Sequence, residues 1–178
     1  MKKLIVLLLI VGFTFTGFAQ QGEINWMTIE EAVAAQEKVP RKIMMDMYTT
    51  WCGPCKMLDK NTFQNKDVAD YVNKNFYAVK FNAEGGGKVT YKDKEYGNPN
   101  FDASKKGRNS QHEFAQFLRV QAYPTIVFLD EKSDVIAPIP GYQTPKQLEV
   151  YLKLFVADKY KEVTTKEQWE AYQKNFKS

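Results

Sequence analysis

The sequence predicts an α/β domain. Helical and extended signals alternate along it, and the strand-like run Lys42–Tyr48 feeds directly into a helix start. With 44% apolar and 14% aromatic residues, the chain can fill a substantial core without covalent staples. Thr28-Ile29-Glu30-Glu31 is a capping box, an N-cap hydroxyl with a carboxylate three residues on, and predicts a helix through about Gln36. The run Ile43-Met44-Met45-Asp46-Met47-Tyr48 then reads as a buried strand. Cys52 falls at the start of the next helix, which continues through Lys56-Met57-Leu58-Asp59, and Asn65 caps another through Asp67-Val68-Ala69-Asp70-Tyr71-Val72. Phe76–Asn82, Thr125–Leu129 and Ile136–Ile139 are predicted strands. Thr144-Pro145-Lys146-Gln147 combines an N-cap, a proline at N1 and an N3 glutamine, opening a helix whose Leu148, Tyr151, Leu152 and Phe155 have core spacing. A last helix begun by Thr164 or Thr165 carries Trp169, Tyr172 and Phe176 as a packed appendage.

The chain's two cysteines both stand in Trp51-Cys52-Gly53-Pro54-Cys55-Lys56. A disulfide across this spacing closes a loop of four residues and, by chain entropy, returns roughly 2 kcal/mol, so its value lies in opening and closing rather than in stapling. A zinc site needs four ligands, usually a second Cys pair or two closely spaced His. Here there is no further Cys and a single His, His112, so no metal is expected. A purely structural bridge is the other alternative, although such bridges usually join distant segments of small domains. At a helix start, unpaired backbone N–H groups and the positive end of the dipole favour thiolate over thiol at Cys52. They also make that sulfur a better leaving group.

Lys2 and Lys3 precede the uncharged run Leu4–Phe18, and Gly17-Phe18-Ala19 supplies small residues for a signal peptidase. Residues 1–19 are therefore expected to be a signal peptide and 20–178 a single exported domain. The run is shorter than the roughly 20 apolar residues a membrane span needs, and an uncleaved anchor is the alternative. A formal charge of +4, two of it in the leader lysines, leaves the mature chain near balance and predicts no nucleic-acid or acidic-membrane partner.

Asp46, the Trp51–Lys56 run, Val79-Lys80-Phe81-Asn82 and Tyr123-Pro124-Thr125 fall in the order and spacing of a thioredoxin, whose active-site motif is identical to this one. The chain resembles the thioredoxin family over residues 24–84 and 111–157. The text around the motif, Asp46-Met47-Tyr48 before it and Asn61-Thr62-Phe63 with Asp67-Val68 after it, is more similar to the periplasmic thioredoxin-like domain of transmembrane disulfide reductases. The resemblance implies a thioredoxin fold, a central mixed β-sheet flanked by helices. It implies that Cys52 is the exposed attacking thiolate and Cys55 the buried resolving thiol, with the redox-active Cys52–Cys55 disulfide in place of any cofactor. Asp46 matches a buried carboxylate beneath Cys55, able to take its proton, and burial raises such an acid toward the range of a general base. Lys80 matches the lysine facing that Asp, or is an outward strand residue. Pro124 matches the family's cis-proline, which presents the backbone of Tyr123 to an extended substrate peptide. Trp51, Gly53 and Pro54 complete the substrate surface, Trp51 either covering the motif or simply packing.

Between Glu84 and Ser110 the chain departs from the family with an insertion over about residues 85–109, either a solvated loop or small hairpin or a partner-recognition surface. Ser110-Gln111-His112-Glu113 is read as another capping box, with His112 exposed in a first helical turn. Residues from about 158 to 178 form a carboxy-terminal extension. A monomeric thiol–disulfide oxidoreductase acting on protein disulfides is expected, in the reducing direction, recharged by a membrane electron donor, in a periplasm rather than the medium. A disulfide oxidase or isomerase, or a thioredoxin-like partner-binding module with idle cysteines, remain the alternatives.

Overall fold

The computed structural model describes residues 22–177, so the expected signal peptide lies outside the described residues. A five-stranded sheet organises the chain. Its strands are β1 (Trp26–Met27), β2 (Lys42–Tyr48), β3 (Phe76–Asn82), β6 (Thr125–Leu129) and β7 (Val135–Pro140), in spatial order β1-β3-β2-β6-β7. Strand β3 runs parallel to both β1 and β2, whereas β6 is antiparallel to β2 and to β7, which makes the sheet mixed. This is the thioredoxin fold expected from the resemblance. Helices α1 (Ile29–Lys38), α2 (Gly53–Leu58), α3 (Lys66–Asn75), α4 (Glu113–Phe117), α5 (Pro145–Val156) and α6 (Lys166–Asn175) complete it, and a π-helical turn, Asp59–Phe63, joins α2 to α3. The capping boxes at Thr28 and Thr144 form with both reciprocal bonds, and a third forms at Thr165.

Alternation along β2 assigns its side chains to two cores. Ile43, Met45 and Met47 face a cluster built with Ile29 of α1 and Phe114 of α4. Met44 faces the other cluster, with Leu58 of α2, Val72 of α3 and Leu152 of α5. Period-2 parity therefore puts Asp46 on the Met44 face, beneath α2. At the far end, Trp169 of α6 stacks on Tyr151 with ring centroids 5.0 Å apart.

Two readings from sequence need correction. Helix α4 begins at Glu113 with His112 as its N-cap, not Ser110. The His112 Nδ1 accepts from the Phe114 N–H at 3.0 Å, while the Ser110 hydroxyl turns away to Asn98 Oδ1. His112 is consequently 0% exposed rather than solvated, its Nε2 2.7 Å from the Gly87 carbonyl and its ring edge-on to Phe81. The insertion's own chain covers it, which no local pattern around residue 112 encodes.

The insertion opens with a hairpin, β4 (Val89–Tyr91) and β5 (Lys94–Tyr96), that is part of the main core. Val89, Tyr91 and Tyr96 are buried in the cluster with Phe114, and the Thr90 N–H donates to Glu30 at 2.9 Å. The Tyr91 hydroxyl donates to the carbonyl of Ser133, a residue that is itself buried. Tyr91→Phe leaves that carbonyl without its donor and is expected to cost about 1–2 kcal/mol in a urea melt. An unchanged midpoint would show that the hairpin unfolds independently of the sheet.

Candidate active site

Strand β2 ends at Tyr48, and a turn in which the Cys52 N–H donates to the Thr49 carbonyl (3.2 Å) carries the chain into α2. Cys52 is the N-cap of α2, with extended backbone (φ −74°, ψ 106°), and its Sγ accepts from the Cys55 N–H at 3.1 Å. Cys52 and Cys55 are joined in a disulfide, S–S 2.07 Å. Gly53 and Pro54 occupy the first two helical positions and are exposed; a Cβ added at Gly53 meets nothing within 4 Å, so the glycine leaves open surface beside the sulfurs. The expectation of an exposed Cys52 over a buried Cys55 does not hold in this oxidised form, where they are 2% and 3% exposed. The physical reason is that the disulfide folds Cys52 Sγ back onto the first turn of its own helix, where a backbone N–H holds it.

Beneath the motif lies a charged cluster. Asp46 is 1% exposed and shares the face of Leu58, one helical turn after Cys55. Its Oδ2 lies 3.7 Å from Lys80 Nζ, and its Oδ1 has no hydrogen-bond partner among the described residues. Lys80 stands directly across the parallel β2–β3 register from Asp46 and is part-buried, so it is not an outward strand residue. Burial pushes the Asp46 carboxyl up to about 7; the Lys80 charge pulls it down, and Asp59 adds to the rise.

Asp59 is a residue that sequence reasoning missed. It sits in the π-turn and forms an ion pair with Lys80, competing with Asp46 for the same ammonium. Its position four residues after Cys55, on the same helical face, was the available signal. Asp59→Asn removes a neighbouring negative charge and frees Lys80 for Asp46, so the Asp46 titration midpoint is expected to fall by roughly one pH unit. Carboxyl NMR shifts across pH would read it, and a midpoint unchanged or raised would refute the competition.

The rim of the site comes from distant segments. Tyr123–Pro124 is a cis peptide bond, and Thr125, immediately after it, pairs with Met47 near the end of β2, which brings this segment to the motif's end of the sheet. Pro124 is buried and Tyr123 half-buried. The Tyr123 hydroxyl accepts from Gln111 Nε2 at 3.3 Å, and its ring meets Trp51 edge-on, centroids 6.1 Å apart. Trp51 is more than packing: its Nε1 donates to Glu84 Oε2 at 2.7 Å, the same oxygen accepts the Asn109 N–H at 2.8 Å, and the Arg108 guanidinium lies 4.4 Å from the ring centroid. Glu84, Arg108 and Asn109 had no local signal. Among the described residues no group of three or more His, Cys, Asp or Glu is placed to hold a metal.

A family model described as a thioredoxin-like domain matches residues 29–155. Over 129 residues, 71% of this chain, the sequence is 26% identical to the thiol:disulfide interchange protein DsbD of Pectobacterium atrosepticum, of whose length it spans only 18%. A thioredoxin-fold protein from Helicobacter pylori superposes with a TM-score of 0.53 at 22% identity, covering 82% of this chain and 96% of that one. A candidate disulphide-isomerase from Bacteroides thetaiotaomicron gives a TM-score of 0.52 at 28% identity, with 76% of this chain and 94% of that chain covered.

Proposed function

The chain belongs to the thioredoxin-like domain family, and we propose that it is an exported protein-disulfide oxidoreductase working as a reductase. One observation carries the reading: a cysteine pair at a helix N-terminus, with a backbone N–H on the first sulfur, stands above a buried carboxyl pushed up to about 7. In the dithiol form the Cys52 thiolate attacks one sulfur of a substrate disulfide. That S–S bond breaks, a Cys52–substrate mixed disulfide forms, and the second substrate sulfur leaves as thiolate. Asp46 then accepts the Cys55 thiol proton. The Cys55 thiolate displaces the substrate from Cys52 Sγ, closing Cys52–Cys55 and releasing the substrate as a dithiol. Two electrons have passed to the substrate, and the disulfide present in this structure is the spent form. Lys80 tunes Asp46, while Trp51, Gly53, Pro54, Tyr123 and Pro124 form the surface on which an extended substrate segment lies.

The reducing direction is supported by the Gly-Pro pair between the cysteines, which is thioredoxin's. Thioredoxin sits at about −270 mV, whereas oxidants of the fold lie near −120 mV. Export is supported by Lys2, Lys3 and the uncharged run behind them. A reductase in an oxidising compartment, a periplasm above all, needs a membrane electron donor, and no helix of the described residues is long and apolar enough to cross a membrane itself. The protein is proposed to act as a monomer. Equilibration of the pair against a glutathione series is expected to return a potential near −270 mV; a value above about −180 mV would make it an oxidase or isomerase.

A further inference from the structure

Lys105, Lys106 and Arg108 lie together at the end of the insertion, all exposed. None forms an ion pair among the described residues, although the insertion's Lys88 and Lys92 pair with Glu95 and Asp134. The segment is anchored rather than loose. Asn109 exchanges bonds with Asp102, accepting its N–H at 3.0 Å and donating to its carbonyl at 2.7 Å, and donates its own N–H to Glu84. This anchoring holds the Arg108 guanidinium on the face of Trp51, the residue before the attacking cysteine. Two carboxylates lie close by, Glu84, which accepts from both Trp51 Nε1 and the Asn109 N–H, and Asp102, which is near enough to Lys105 to feel its charge, so the three cations outnumber the neighbouring anions by one. Arg108 therefore stands as a cation beside the motif, with Lys105 and Lys106 exposed next to it in the chain, and Tyr123 lies on another side of Trp51.

On the oxidoreductase reading, we infer that the Lys105–Arg108 strap selects protein disulfides whose cysteines are flanked by acidic side chains. A peptide whose cysteine reaches Cys52 passes Trp51. An aspartate or glutamate next to that cysteine meets this excess positive charge, and a lysine there meets like charge. Exposed pairs of this kind are worth roughly fivefold in a rate or binding constant, and they fade with salt.

The test uses the dithiol protein and three substrates: two disulfide-bonded peptides identical except for glutamate or lysine beside their cysteines, and the neutral bis(2-hydroxyethyl) disulfide. At low salt, kcat/KM is expected to favour the glutamate peptide roughly fivefold, and the ratio should approach one in about 0.5 M salt. Arg108→Glu should invert the ratio and Arg108→Lys should keep it. The double variant Lys105→Glu/Lys106→Glu, on exposed positions, should narrow it even if Arg108→Glu does not fold. Equal rates for the two peptides in a wild type that reduces the neutral disulfide, or a ratio indifferent to these charge reversals, overturn the selectivity alone. A wild type that reduces none of the three ends the oxidoreductase reading, and this inference with it.

Discussion

Cys52→Ser is expected to lower insulin reduction at least about a thousandfold, because a serine hydroxyl in place of the thiolate neither attacks a disulfide nor leaves from one. Cys55→Ala should lose turnover to a similar extent for a different reason. Its first step survives, so the Cys52–substrate disulfide accumulates where wild type would resolve it. The pair of variants therefore separates attack from resolution. Equal insulin reduction by wild type and Cys52→Ser would remove the enzyme reading and leave a partner-binding module in which the insertion and the carboxy-terminal extension do the work. The adducts trapped by Cys55→Ala are informative in themselves: a single dominant adduct signifies a dedicated partner, a smear general repair. Covalent trapping with Cys55→Ala but not with a Cys52→Ser/Cys55→Ala double variant would assign the attack to Cys52.

Asp46→Asn is expected to slow resolution at neutral pH and, at the same time, to stabilise the fold. The carboxyl is buried and its affinity for a proton is raised, from 3.8 to about 7. Between those values the native state holds a proton that the unfolded chain releases, so native stability falls as pH rises through this window and the full penalty is present above about 7. The upper figure for that penalty is about 4 kcal/mol, and an imperfectly bonded buried amide in the variant offsets about 1–2 of it. The variant should thus be more stable than wild type at pH 8 by about 2 kcal/mol, with the difference reaching zero near pH 5 and reversing by about 1 kcal/mol near pH 4, where the penalty is almost gone and the amide cost remains. Lys80 is not stranded by the change, because Asp59 retains it. The resolving rate of wild type should rise with pH through about 7 as Asp46 ionises, and that rise should be absent in Asp46→Asn. A variant less stable than wild type at pH 8, or one with an unaltered pH profile, would refute the role of Asp46.

Much of the frame was legible. The capping boxes at Thr28 and Thr144 formed as read, and strands Lys42–Tyr48, Phe76–Asn82 and Thr125–Leu129 have the bounds the pattern indicated. These are local signals: a hydroxyl three residues before a carboxylate or amide caps its own helix wherever that helix lies. The same kind of signal failed at Ser110. There the serine hydroxyl had a better partner in Asn98, and Glu113 turned its carboxylate to the Gly97 N–H at 2.8 Å, leaving His112 to cap α4. Local matching decides a cap only where no distant group competes for the same atoms. The two-residue β1 was equally invisible, since so short a strand carries no periodicity and exists only because β3 lies alongside it.

Chemistry-bearing types and their spacing could be read directly from the order of residues: two sulfurs in one helical turn, a strand carboxylate ahead of them, and a proline opening a later strand. What surrounds each of those groups could not. Asp46 titrates high because α2 covers it, Lys80 is shared because Asp59 reaches the same ammonium, and Arg108 meets Trp51 because Glu84 pins the end of an insertion there. Desolvation, ion pairing and ring stacking depend on distances across the fold between residues far apart in the chain, and only packing the sheet between its helices sets those distances.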